Sequence, residues 1–117
     1  MDCEDICRYI DDNWGISGDH PFAKSPDTTV FRHPGNRKWF ALMMEVEATK
    51  LGIAQEGCVT VLNAKCDAAL QSLLLPMKGF YPAYHMNKNH WISAVPEEMD
   101  EKEWLYLLID KSYSATK

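Results

Sequence analysis

The chain has 117 residues, 46 % hydrophobic and 25 % charged, with a formal net charge of −5. That length supports one domain, residues 1–117, with an apolar core that needs no metal or disulfide staple. The acidic balance argues against broad electrostatic attraction to nucleic acid or anionic lipid. Apolar runs such as Leu73 to Met77 span only a few residues, too short for a transmembrane helix.

The N-terminus carries Asp2, Glu4 and Asp5 where a signal peptide would carry positive charge, so a cytoplasmic location is expected. The four cysteines, Cys3, Cys7, Cys58 and Cys66, are accordingly read as reduced thiols, with no disulfide expected. Charge is unevenly spread. Residues 1–19 and 97–117 hold twelve of the seventeen acids but only four of the twelve basic residues, whereas residues 20–96 carry five acids against eight Lys or Arg. If the two ends form helices on one side of the central elements, the molecule is acidic on that side and mildly basic on the other.

Residues 2–14 predict an amphipathic helix. Cys3, Ile6, Cys7, Ile10 and Trp14 recur at three- and four-residue steps, with Asp2 as N-cap and Gly15 as the stop. The run 28–32 has the β-branched and aromatic character of a strand, His33 to Arg37 supplies turn chemistry, and 38–47 pairs back as a hairpin. A third strand is expected over 59–63, with Val59, Val61 and Asn63 on one face and Thr60 and Leu62 on the other. Asp67 caps a short helix that Pro76 terminates. A last strand is expected over 90–95, and a C-terminal helix starts beyond Pro96, with Glu97, Glu98, Asp100 and Glu101 at the positive end of its dipole. Three strands joined by short turns pair antiparallel. The expected fold is therefore α+β and two-layered, an antiparallel β-sheet meander with N-terminal, middle and C-terminal helices and one sheet face partly open.

The densest concentration of chemistry is Tyr81-Pro82-Ala83-Tyr84-His85-Met86-Asn87-Lys88-Asn89-His90-Trp91, which follows neither the strand nor the helix period. This block resembles the PAYHMNKKHW-type signature of the MmcQ/YjbR family. His20-Pro21-Phe22, Asp27 to Phe31, Trp39 to Leu42, Asn63 to Asp67 and Leu108 to Tyr113 extend the likeness over nearly the whole chain. The resemblance implies a monomeric, cytoplasmic, YjbR-like α+β domain related in shape to small secretion-chaperone-like folds. It also implies a DNA-binding activity through a double-wing arrangement of hairpins. His20 departs from the aromatic residue usual at that position.

The residues that suit contact with double-stranded DNA are Arg32, Arg37 and Lys38 of the hairpin with Trp39 beside them, and Tyr84, His85, Asn87, Lys88, His90 and Trp91 of the signature. Weak, non-enzymatic binding is the expectation. The alternative is a protein-interaction or small-ligand-binding module that uses Trp39, Tyr84 and Trp91 on an open sheet face. No metal site or cofactor is expected, because His85 and His90 lack a second ligand pair and no phosphate loop or dinucleotide fingerprint is present. Catalysis by Cys66 with His85 or His90 as base is not expected either, since nothing in the sequence fixes their distance.

Overall fold

The fold was analysed in a computed structural model that describes residues 3–117, the side chain of Cys3 excepted; the expected cap Asp2 lies outside the described residues. Helix α1 covers Cys3–Trp14 and buries Ile6 and Ile10 fully. It ends as the sequence predicts. Gly15 takes the left-handed conformation at φ 64° and its N–H donates to Asp11 O at 2.7 Å, a closure that glycine adopts without a Cβ penalty.

Strands β1 (Thr29–Arg32), β2 (Trp39–Glu47) and β3 (Cys58–Lys65) form the expected antiparallel meander. Helix α2 (Ala68–Leu74) follows, with Leu70 N–H donating to Asp67 Oδ1 at 2.8 Å. The chain then departs from the expected order. Residues Phe80–Pro82 form an additional strand, β4, before β5 (Trp91–Ala94), and the sheet order is β1-β2-β3-β5-β4 with every pairing antiparallel. Pro82 masked β4 in the sequence because proline cannot donate to a ladder, and it is tolerated here because β4 is an edge. At the opposite edge, Asp19 and Val30 exchange two backbone hydrogen bonds of 2.9 Å.

Alternation assigns the two faces. Met43, Leu62, Ala64, Ile92 and Ala94 pack with Ile6, Ile10, Leu105, Leu108 and Ile109 in one core cluster, which defines the helical face. Val46, Val59, Val61 and Val95 form a second cluster on the other face with Leu51, Ile53, Tyr81 and Tyr84. Thus Val59, Val61 and Asn63 share one face and Leu62 the other, as expected. Helix α3 (Glu103–Thr116) also lies on the helical face, joined to α1 by near-parallel stacks of Tyr9 on Tyr106 at 4.0 Å and Trp14 on Tyr113 at 4.1 Å. Tyr9 OH donates to Asp110 Oδ1 at 2.7 Å, and burial together with that carboxylate pushes the phenol up to about 12.

The C-terminal helix begins later than its acidic run suggests. Pro96–Glu98 make a 3-10 turn instead, Tyr81 OH donates to Glu98 Oε1, and Met99 packs beside Gly79. A Cβ on Gly79, itself at φ 95°, would meet Met99 Cγ at 2.8 Å, so the turn and the β4 edge are fitted to one another. These contacts hold Glu97 and Glu98 outside the helix.

One irregularity shapes the end of the sheet beside the β1–β2 tip. Arg32 pairs with Trp39 while Phe31 pairs with Ala41, so Phe40 is an extra residue in β2, a bulge. It turns Phe40 into the core and leaves Trp39 half-buried on the opposite face. Beyond the Ala41–Ala64 pair the ladder stops, and the hydroxyl of Ser112 on α3 takes its place: Lys65 N–H donates to Ser112 Oγ at 2.8 Å and Ser112 Oγ–H donates to Phe40 O at 2.5 Å. Ser112→Ala leaves a buried donor and a buried acceptor unpaired, each costing about 1–3 kcal/mol. Urea denaturation is therefore expected to show a loss of about 2 kcal/mol or more, well beyond the effect of Ser114→Ala at an exposed position of the same helix.

Candidate nucleic-acid interface

The β1–β2 hairpin tip is anchored to the end of α3. His33, the first residue of the expected turn, is 6 % exposed, with its ring 4.4 Å from that of Tyr113 and 5.1 Å from that of Phe40. Thr116 Oγ1–H donates to Ser112 O at 2.8 Å, which leaves its oxygen to accept from His33 Nε2 at 2.8 Å and assigns the ring proton to that nitrogen. Asn36 Nδ2 donates to Thr116 O at 3.0 Å, and its Oδ1 accepts from Lys38 N–H at 2.8 Å. The left-handed residue of the tip is Arg37, φ 65°, rather than Gly35. Arg37 and Lys38 stay exposed on this anchored turn.

Arg32 sits differently. Its guanidinium is bonded to Asp19 Oδ1 at 2.9 Å and lies 5.9 Å from the centroid of the Trp39 ring, so it is paired and directed along the sheet surface. Trp39 also meets Phe22 edge-on, with centroids 5.9 Å apart.

The signature block divides into two halves with separate supports. In the first half, Tyr84 N–H donates to Ser93 Oγ at 2.8 Å, Ser93 Oγ–H donates to Asn63 Oδ1, and Asn63 Nδ2 donates to Tyr84 O at 3.2 Å. Asn63 and Ser93 are fully buried and paired across β3 and β5, so this closed ring of bonds binds Tyr84 to the middle of the open face. His85 follows at φ 58°, exposed, its ring edge-on to Tyr84 at 4.0 Å. In the second half, Asn87 builds a turn: its Oδ1 accepts from Asn89 N–H at 2.8 Å, and its carbonyl accepts from His90 and Trp91 N–H. His90 O accepts from Cys66 N–H at 2.8 Å, which ties that turn to the end of β3. Lys88 and the His90 ring are exposed.

These supports bring the two hairpins to one end of the sheet. The β1–β2 tip and the β4–β5 connection both emerge beside the end of β3, and between them Arg32, Trp39, Lys65 and Trp91 occupy successive strands on the open face. Lys65 Nζ lies 5.9 Å from the centroid of Trp91. The row alternates cation and indole across neighbouring strands. Lys65 is the member that sequence reasoning missed, because the strand was expected to end at Asn63; extending its alternation by two residues would have found it.

Cys66 is 3 % exposed, and burial pushes its thiol up to about 11, so it is protonated at neutral pH. Cys58 is an exposed free thiol. Among the described residues, no group of three or more His, Cys, Asp or Glu could hold a metal ion, and no helix is long and apolar enough to cross a membrane.

The profile of the YjbR family matches residues 4–115. The chain belongs to the YjbR family. Among YjbR relatives, the Bacillus subtilis (strain 168) protein YyaQ, described as uncharacterized, is 39 % identical over 114 residues, 97 % of each chain. A crystal structure of a Pseudomonas syringae protein superposes with a TM-score of 0.95 at 37 % identity over all of both chains. A Deinococcus radiodurans crystal structure, matching over 94 % of this chain and 74 % of its own at 23 % identity, shares the fold with a TM-score of 0.65.

Two stability measurements probe the supports of this YjbR face. Ser93→Ala removes the acceptor for Tyr84 N–H and the donor for Asn63 Oδ1, and is expected to lower stability by about 2–4 kcal/mol in urea denaturation, two buried groups being left unpaired. Burial, the largest influence on His33, lowers its pKa, with Lys117 and Lys38 adding to the effect and a hydrogen bond to the Tyr113 backbone opposing it. A base with a depressed folded pKa contributes stability above its unfolded value of about 6.5 and loses it as pH falls through the folded one. Urea midpoints are expected to fall between pH 7.5 and pH 5, by less in His33→Gln.

Proposed function

We propose that this YjbR protein is a non-enzymatic nucleic-acid-binding protein that takes double-stranded DNA weakly at the end of its sheet. The observation that carries this reading is the convergence of two hairpin ends, one bearing Arg37 and Lys38 and the other Lys88, on either side of the Trp39–Lys65–Trp91 row. Exposed cations on two separate turns suit phosphates spaced along a backbone, and the half-buried indoles between them offer apolar surface to sugars and bases. Arg32 acts as a support, its charge shared with Asp19 and its plane near Trp39.

The rest of the charge distribution favours a single orientation. Helices α1 and α3 carry six of the twelve acids of the two chain ends, Glu4, Asp5, Asp11, Asp12, Glu103 and Asp110, and pack on the helical face, so a polyanion is repelled there. Four cations, Arg37, Lys38, Lys65 and Lys88, set the scale of attraction, and the net charge of −5 keeps it small. The protonated state of Cys66 supports a binding role over a nucleophilic one.

Fluorescence anisotropy of a labelled mixed-sequence duplex tests the reading. Four neutralised phosphates give a salt slope of roughly −3.6, so affinity is expected to drop about a hundredfold between about 50 mM and about 200 mM salt. Arg37→Glu combined with Lys88→Glu is expected to abolish binding without shifting the thermal midpoint, both side chains being exposed and in no ion pair among the described residues. Absence of binding at the lower salt would overturn the proposal.

A further inference from the structure

The open face carries two cavities that adjoin the proposed duplex contact at Lys88 and Trp39 and extend beyond it, and His85 lines both. The first, about 480 Å³, is bounded by Lys50, Leu51, Tyr81, Tyr84, His85 and Lys88. The second, about 420 Å³, is bounded mainly by Phe22, Trp39, Leu42, Met44 and Met86, with Lys24 at its margin. They arise because three irregular segments cross this face without covering it. The 48–57 connection reaches toward β4 through Leu51 and Ile53, the 83–88 segment is fastened through Tyr84, and the loop before β1 brings Phe22 against Trp39.

The linings differ in chemistry. Around the first cavity stand two ammonium groups, an imidazole and two phenols; the second is aromatic and thioether-rich. Among the described residues, no carboxylate lines either one, in a chain with seventeen acids. Tyr81, on the lining of the first cavity, donates its hydroxyl to the carboxylate of Glu98. The wall between the cavities is also fixed in place. His85 occupies the left-handed region, a conformation that costs a non-glycine residue about 1–3 kcal/mol, and the Asn63–Ser93 clamp on Tyr84 holds it there. Its ring makes no hydrogen bond among the described residues, which leaves it able to donate to a ligand.

We infer that this face binds a small amphiphilic organic anion, its flat aromatic body in the Phe22–Trp39–Met44 cavity and its phosphate or carboxylate head between His85, Lys50 and Lys88. An oxyanion there gains charge-assisted hydrogen bonds from two ammonium groups, and the apolar body buries area against indole and thioether, the usual division of labour in a small-molecule site. The inference does not rest on nucleic-acid binding. Lys50 follows the end of β2 opposite the β1–β2 tip and, although it shares the first cavity with Lys88, is not among the proposed duplex contacts, so it separates the two readings.

Three probes test it by amide NMR titration of the labelled protein: 1-naphthyl phosphate, 1-naphthol and inorganic phosphate. Naphthyl phosphate is expected to shift the amides of Lys50, Tyr84 to Lys88, Trp39 and Met44 together, and to bind at least about tenfold more tightly than either fragment. Lys50→Glu is expected to weaken it about tenfold or more while leaving duplex binding unchanged, and Trp39→Ala to weaken naphthyl phosphate and naphthol alike. Inorganic phosphate binding as tightly as naphthyl phosphate, shifts confined to other surfaces, or an unaltered affinity in Lys50→Glu would each overturn the inference. So would an absence of shifts at millimolar probe. Loss of duplex binding in Arg37→Glu with retained naphthyl phosphate binding supports it as an independent site.

Discussion

The hydroxyl of Ser112 stands where a ladder hydrogen bond would otherwise be, and the arrangement of the open face depends on that substitution. By accepting from Lys65 and donating to Phe40, it lets β2 and β3 separate at their ends while both strands remain satisfied. Phe40 enters the core through the bulge, Trp39 is directed to the other face, and Lys65 completes a row with Trp91. Four residues further along α3, Thr116 receives His33 and Asn36 and so positions the neighbouring turn. One helical turn thus sets both the shape of the sheet end and the placement of the tip beside it.

The two faces illustrate a division between rigidity and chemistry. The helical face is filled by large aliphatic and aromatic side chains and by two ring stacks between α1 and α3, so it transmits position with little give. The open face carries a smaller valine-rich cluster and is crossed by irregular segments, which need polar fastenings because their backbone groups have no ladder partners. Asn63 and Ser93 supply those fastenings from inside the sheet, where strand alternation directs both toward the segment they hold. Polar residues buried in this way cost desolvation that is recovered only if every bond forms, which favours a single conformation of the segment above them.

Much of this was legible in the sequence, and what was not has physical causes. Periodicity located α1 and the first three strands because each has a clear apolar repeat, and Gly15 and Asp67 act at helix ends as their chemistry requires. The likeness of the signature block placed the chain in its family. Strand β4 stayed hidden because it is three residues long and contains proline, and α3 starts late because Glu98 is engaged by Tyr81, a tertiary contact with no local trace. The buried state of His33 was equally out of reach, since its partner is Thr116, more than eighty residues away. The bulge at Phe40 could not be read because Trp39-Phe40 fits a regular strand equally well. Of the site residues named from sequence, Asn87 serves the turn itself, Arg32 is paired with Asp19, and Arg37, Lys38, Lys88 and His90 remain exposed.

The outer strands are short, four residues in β1 and three in β4, although β2 and β3 at the centre have nine and eight. A long flat edge would offer a second chain a template for strand addition, and both borders here withhold it. Asp19 already occupies the backbone groups of Val30 on one side, and Pro82 ends the other. The hydrogen-bonding capacity of the long central strands is thereby spent inside the molecule, so high concentration, or transient loss of the segments over the open face, exposes side chains without opening a route to cross-β growth.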